Sequence, residues 1–470
     1  MIDTHLGKSS LGIWDMSWSF VNYLSLSGLG VGSSVNRYVA KYYSSEDYLN
    51  LNKSVSSVVA IQILIAVAIV IGTGGLVYFL PGYLEGWDPV ELSQAVHVVG
   101  LLGLALAVQM LFDTFRGITT GVHRWDLHNG LNAASSISSA ILMIIVMLLG
   151  YSLVSLAVVY LCVNIVAEIV RVFIGFSVCP NLQLKLGYVS RSHAKKMFSY
   201  GMKSVVVGAP QLIVVQTINI ALAGTVGAAA LAVFMRPIAL IRHIETFMNK
   251  FAFVLTPTVG SLIGIGKSDQ IRDVLIQSTR YSVAMTLPMI LVLGMLGDHI
   301  LTVWMGHDYA DIHVIAILAF GSLLSISQAP TLRVLMGMNL HGKVAIITFV
   351  ISVLMLVVGI LLMNSYGWTL IGAAILTGSI RMITRGIVIP IYACNKIGIT
   401  MPQYLKASFG LPVLGGVVLA LWLVLSRYLG GDSSLQVLLI GMIGTILLLP
   451  IVYWPMIKPL IKSKLAKRNA

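Results

Sequence analysis

Apolar runs of about 18–25 residues recur from one end of this chain to the other, each long enough to cross roughly 30 Å of hydrocarbon. Of the 470 residues 57% are hydrophobic and only 10% are charged, too few to coat a soluble core of that size. Inside a bilayer every backbone N–H and C=O must be satisfied by the protein, which leaves helices and closed barrels. Unbroken apolar runs with Gly and Ser inside them lack the two-residue alternation of a barrel strand. The chain therefore reads as all-α, a polytopic helical membrane protein with about thirteen transmembrane helices. The first expected span covers 11–34 and the last 434–457, with 54–80, 200–223 and 226–254 among those between.

Lys and Arg are distributed unevenly over the connecting loops. One set holds Arg37, Lys41 and Lys53; Arg116 and Arg124; Lys185, Arg191, Lys195 and Lys196; and Lys267, Arg272 and Arg280. It continues with Arg333 and Lys343, Lys396 and Lys406, and the tail from Lys458 to Arg468. The alternate loops hold Glu85, Asp88, Glu91, Asp308, Asp311 and Asp432, with Lys8 and Arg427 as their cations. Basic loops stay in the cytoplasm, so the first set and the C-terminus are expected there. This asymmetry also accounts for most of the net charge of +13 without a nucleic-acid partner. Cys162, Cys179 and Cys394 are scattered, so no metal or redox site is expected.

Two halves share an order of parts. LGKSSLGIW leads into a helix that exits through Arg37 and Lys41, and the next span ends in YFLPGYLEGWD. AGTVGAAALAVF leads into a helix that exits to KSDQIRD, and the next span ends in LTVWMGHDYAD. Such internal repeats are common in transporters. The second copy is preceded by the span 200–223 and the first copy by none, so one further apolar span is expected upstream of Met1. The resulting division is 1–180, a first lobe of about five spans, and 200–398, a second lobe of about six. The basic interfacial stretch 181–199 links them, and 399–470 adds two further spans and a basic tail.

The segment VFMRPIALIRHIETFMNKFAF, residues 233–253, places Arg236, Arg242, His243, Glu245, Asn249 and Lys250 in one apolar-looking helix. At roughly 100° per residue these six fall on one half of the cylinder, opposite Leu240, Ile241, Ile244 and Met248. An i,i+3 pair of Arg242 with Glu245 and snorkelling of Lys250 account for those three. Arg236 is too deep to snorkel, and an ionised Arg at mid-membrane costs at least about 2.5–3.5 kcal/mol unless it meets water or a partner. A water-filled cavity meets that need.

Elsewhere Asn164, Glu168 and Arg171 form an i, i+4, i+7 stripe, and Asp113 and Arg116 an i,i+3 pair; internal salt bridges and ion coupling both suit them. Arg381 and Arg385 are an i,i+4 cation pair with no carboxylate near in sequence, open to snorkelling or to lining a cavity. Buried cations outnumber buried carboxylates, which points to an anionic ligand, and Arg bonds phosphate oxygens with a planar, permanently charged fork. No catalytic motif is present, so an enzyme is not expected. A polymerase of polysaccharide assembly would need large outer loops bearing catalytic acids, and these are short.

Three stretches carry a family resemblance. LGKSSLGIWDMSWSF with GLGVGSSVNRYVAKYYSS is the first. FVLTPTVGSLIGIGKSDQIRDVLIQSTRYS with MLGDHILTVWMGHDY is the second, and LRVLMGMNLHGKVAIITFVISVLMLVVGILLMNSYGWTLIGAAI is the third. They resemble the multidrug/oligosaccharidyl-lipid/polysaccharide exporter superfamily, most closely its O-antigen-type polysaccharide flippases. The resemblance implies fourteen helices in two pseudo-symmetric lobes around an inward-opening cationic cavity, this chain lacking the first. It implies a polyprenyl-pyrophosphate-linked oligosaccharide as substrate, moved by alternating access, with membrane lipids and other polysaccharide-assembly membrane proteins as partners. Arg236 falls on the eighth family helix and Arg37 at the exit of the second. Arg236, Arg242, Arg381, Arg385 and Arg37 are the expected substrate-binding cations. Glu245, Asn164, Glu168, Arg171, Asp113 and Arg116 are the expected coupling or structural groups. No cofactor is implied, and H+ or Na+ stand open as coupling ions. A multidrug or cation antiporter of the same superfamily is the competing reading, with Asn164 and Glu168 as its site.

Overall fold

The computed structural model describes residues 2–28, 31–456 and 458, and every regular element among them is helical. Ten of these segments are long and apolar enough to cross a membrane, and the chain is a multi-pass helical membrane protein. It divides into two compact units, residues 1–232 and 233–470.

Unit 1 runs α1 (Ile2–Ser25), α2 (Val31–Ser44), α3 (Tyr48–Tyr83), α4 (Pro89–Gly121), α5 (Trp125–Leu148), α6 (Leu153–Val178) and α7 (Arg191–Val226). The expected first span meets a broken helix: Gly7, at φ 85°, interrupts α1, and the continuous part runs from residue 8 to 25. Along it Ser10, Ser17 and Ser19 return their hydroxyls to carbonyls one turn back, at 2.7–3.0 Å. α4 is the central helix, packed against α1, α2, α3, α5 and α6. Asp88 caps it by accepting from Val90 N at 2.8 Å, with Pro89 in its first turn. Asp311 caps a helix of the second unit in the same way. Two of the acids that set the charge asymmetry of the loops are thus also helix caps.

The basic stretch 181–190 is gripped by α3. The buried Asn52 accepts from Gln183 N at 2.9 Å and donates to Asn181 O at 3.1 Å, while Ser57 Oγ accepts from Ser190 N at 2.9 Å. α7 packs against α1, α2 and α3. Tyr83 donates to Ile220 O at 3.0 Å, and a Cβ on Gly224 would sit 2.5 Å from the Tyr83 hydroxyl. Only glycine admits that approach.

Unit 2 continues α8 (Ala228–Ala252), whose first turn belongs to unit 1, with α9 (Leu255–Gly264), α10 (Ile271–Met305), α11 (Ile312–Ser327), α12 (Ala329–Gly337) and α13 (His341–Tyr366). α14 (Leu370–Arg381) passes through a π-helical segment, Met382–Val388, into α15 (Ile389–Ile397), and α16 (Met401–Gly430) and α17 (Ser434–Val452) complete it. Gly227, at φ 106°, ends α7 and turns the chain into α8. Here α10 is central, against α11, α16 and α17. Tyr404 is fully buried, and its hydroxyl stands 2.7 Å from Gln328 Oε1 and 3.2 Å from Thr279 Oγ1, so α16 is tied to α10 and α11 without an orphaned polar group. Small residues let helices touch: a Cβ on Gly321 of α11 would meet Gly378 Cα of α14 at 2.6 Å.

The faint sequence repeat has a structural counterpart. α1, α2 and α3, of 24, 14 and 36 residues, match α8, α9 and α10, of 25, 10 and 35. α4, α5 and α6 then match α11 with α12, α13, and α14 with α15. Two expected spans fall outside the ten: α1 opens with polar turns, and α8 carries Arg236, Arg242 and Glu245 within one membrane length. The side chains of the expected span 200–223 lie partly outside the described residues, and the described part, within Leu212–Val226, is apolar.

Candidate functional site

The charged groups of unit 2 meet around Glu245. One carboxylate oxygen accepts from Arg385 Nη1 at 2.9 Å and the other lies 3.6 Å from Arg381 Nη1. Glu245 projects from α8, Arg381 ends α14, and Arg385 lies in the π segment that follows. This corrects the expectation of a cation pair without a carboxylate: the partner is 136 residues away from Arg381 in sequence (381 − 245) and on another helix. Arg381 also donates to Ser322 Oγ at 3.4 Å. Arg242, exposed one turn before Glu245, and Arg385 both press like charge on Arg381. Arg236 is half-buried on α8, about 13 Å along the axis before Glu245. Side-chain exposures of 15% for Glu245 and 13% for Arg381 place the pair well inside the unit.

The opposite side of α8 is apolar. Leu240, Ile244 and Phe247 line two adjoining grooves against α10 and α17, of about 330 and 480 Å³, which share Pro288, Met289 and Leu449. One helix thus holds charge on one side and a hydrocarbon-lined groove on the other, as its periodicity requires.

Unit 1 contains a different site between α4, α5 and α6. Arg171 Nε donates to Glu168 Oε2 at 3.0 Å and Arg171 Nη2 to Asn132 Oδ1 at 3.1 Å, both partners of the ion pair being less than 10% exposed. Asn132 in turn donates to His128 Nε2 at 3.0 Å. One turn along α6, Asn164 Oδ1 accepts from Gln109 Nε2 at 2.6 Å, and Gln109 also donates to the Tyr160 hydroxyl at 3.2 Å. Asp113 and Arg116 stand 3.4 Å apart at the rim, Arg116 being 57% exposed. These groups line a cleft of about 240 Å³, which adjoins a second of about 540 Å³ through Met110, Asp113 and Arg116.

The stripe Asn164, Glu168 and Arg171 therefore does share one face, with Asp113 and Arg116 in the same cleft. Arg37 is exposed on α2 in unit 1. His128, Asn132, Gln109 and Tyr160 were missed by sequence reasoning. The His128–Asn132 spacing of i,i+4 on an otherwise apolar helix was the signal that could have found the first two. No group of three or more metal-ligating side chains occurs among the described residues.

Two similarly ordered series of membrane helices each carry their own internal ion pairs. The fold is that of the MOP superfamily, the multidrug/oligosaccharidyl-lipid/polysaccharide exporters. It matches the structure of "Lipid II flippase MurJ, inward closed conformation" with a TM-score of 0.71 and 17% identity, covering 96% of this chain and 95% of that one. It matches an inward-facing "multidrug resistance MATE family transporter of the MOP superfamily" at 0.66 and 15% identity, covering 84% and 92%. Residues 91–314 match the family described as "Polysaccharide biosynthesis protein". The chain is also 20% identical over 418 residues, 86% of its length and 80% of the relative's, to "Uncharacterized membrane protein EpsK" of Bacillus subtilis (strain 168). These neighbours of known fold are a flippase and a transporter, not enzymes.

Proposed function

We propose that this chain moves a polyprenyl-pyrophosphate-linked oligosaccharide, an O-antigen or other surface polysaccharide repeat unit, from the cytoplasmic to the outer leaflet by alternating access. The observation that carries it is the two-sided α8. Arg381 and Arg385 meet at its Glu245 with Arg242 exposed one turn away, while the other face of the same helix lines an apolar groove. An amphiphile with an anionic head and a long hydrocarbon tail meets both needs at once. The match over residues 91–314 supports a polysaccharide substrate. The site is placed in the bacterial inner membrane with the C-terminus cytoplasmic, on the charge asymmetry of the loops. H+ or Na+ would drive transport, and other polysaccharide-assembly membrane proteins would supply and take the substrate.

The multidrug antiporter reading has the same fold in its favour. It needs a carboxylate available to a lipophilic cation, and Glu168, its best candidate, is already held by Arg171 at 3.0 Å. Deleting the gene separates the two. Accumulation of lipid-linked oligosaccharide in the cytoplasmic leaflet with unchanged resistance to cationic dyes is the expected result. Unchanged intermediates with heightened dye sensitivity would transfer the assignment to the antiporter.

A further inference from the structure

The cleft in unit 1 has a chemistry unlike that of the arginine cluster. Asp113 and Glu168 face Arg116 and Arg171, so its fixed charges cancel. Such a site gives neither a phosphate nor a lipophilic cation a net attraction. It offers instead a mixture of donors and acceptors on all three walls. The second carboxylate oxygens of Asp113 and Glu168 accept no hydrogen bond among the described residues. The Tyr160 hydroxyl accepts from Gln109 and keeps its own proton to donate.

The serines of α5 carry the argument further. A serine in a membrane helix ordinarily returns its hydroxyl to a carbonyl one turn back. Ser17, Ser57, Ser278 and Ser327 do so, at 2.6–2.8 Å. Ser135, Ser136 and Ser139 line the cleft and make no such bond among the described residues. Three hydroxyls facing one polar volume, uncommitted to their own helix, are acceptors and donors held ready for something else. The cleft's walls suit a ligand that is itself polyhydroxylated.

We infer that the cleft between α4, α5 and α6 binds the sugar portion of the substrate, contacting ring hydroxyls and amides through the α5 serines, Gln109, Tyr160 and the outer oxygens of Asp113 and Glu168. This rests on the translocator reading and names the part of its substrate that unit 1 takes, the neutral glycan. Discrimination follows from the same groups, because a site built to bond hydroxyls rejects analogues lacking them.

Calorimetric titration of the purified full-length chain in nanodiscs tests it, with a neutral N-acetylated disaccharide, inorganic pyrophosphate and NaCl as separate probes. The disaccharide should bind saturably, and Ser136→Ala/Ser139→Ala should weaken it by roughly tenfold. Gln109→Ala, at another wall of the cleft, should weaken it comparably. Arg385→Ala should leave disaccharide binding unchanged and weaken pyrophosphate. Absence of disaccharide binding, or binding unmoved by the serine and glutamine variants, overturns the inference. A response to Na+ alone that the same variants abolish overturns it in favour of a cation site. Failure of the pyrophosphate arm with the disaccharide arm intact counts against the translocator reading, not against the cleft.

Discussion

Replacing Glu245 by Gln should move two properties in opposite directions. The side chain keeps its shape and loses its charge, leaving Arg381 and Arg385 facing one another without a counter-ion. Breaking a buried ion pair by removing one partner costs about 3–5 kcal/mol. Arg385 is 29% exposed and so partly hydrated, which puts the expected loss near the lower end, about 3 kcal/mol, or two orders of magnitude in the folding equilibrium. Anion binding should improve. Among Arg242, Arg381, Arg385 and Glu245 the net charge changes from +2 to +3. At an effective dielectric of about 20, one unit charge roughly 7 Å from a bound anionic charge is worth about 2 kcal/mol, so pyrophosphate should bind on the order of thirtyfold tighter. Denaturant unfolding followed by tryptophan emission reads the first effect, and calorimetry on the full-length chain in nanodiscs reads the second. Unchanged stability would mean that the pair does not form. Weaker pyrophosphate binding would mean that the carboxylate holds the arginines in place rather than offsetting their charge, and the electrostatic reasoning would fall.

Arg236→Ala should abolish or strongly reduce surface polysaccharide while the protein still accumulates in the membrane, and Arg236→Lys should keep part of the activity, having the charge without the fork; normal polysaccharide in the alanine variant removes Arg236 from the mechanism. Asn52→Ala removes both side-chain bonds to the backbone of 181–183; limited trypsin digestion should then cut at Lys185 and Arg191 faster than in the parent, and equal cutting rates would show that the loop is held by other contacts. Gly321→Val forces a side chain against Gly378 Cα and should cost about 1–3 kcal/mol through displacement of α11 from α14, read as a lowered thermal midpoint that Gly321→Ala shows to a smaller degree; an undiminished midpoint would mean that the helices do not cross so closely.

What the sequence disclosed follows from the range of its signals. Hydrocarbon thickness imposes a length on every span, so α3, α4, α10 and α16 could be placed from composition, with ends extended by polar turns at the interface. Helical period made the Asn164–Glu168–Arg171 stripe readable, and the structure puts all three in one cleft. Where polar groups were satisfied inside their own helix, the pattern misled. The hydroxyl bonds of Ser10, Ser17 and Ser19 let α1 be helical beyond the break at Gly7 although its first turns look like a loop. The Asn52 grip on 181–183 left no trace at all, since Asn52 sits in the polar stretch from Asn50 to Ser54 as one more amide.

Glu245 shows where such reading ends. Its neighbours on α8 are set by the 3.6-residue period, and Arg242 was the natural partner to expect. Contacts across the helix interface run from it to Arg381 and Arg385, which depend on how α14 is rotated and where its period changes. The π segment Met382–Val388 makes that change. A wider turn rotates everything beyond it relative to an unbroken α-helix, and such turns cluster at functional sites. Two arginines four residues apart there address the two oxygens of a single carboxylate. Nothing in MITRGIV announces a wider turn. An acid shared by two arginines leaves one positive charge in excess, and that excess favours an anion.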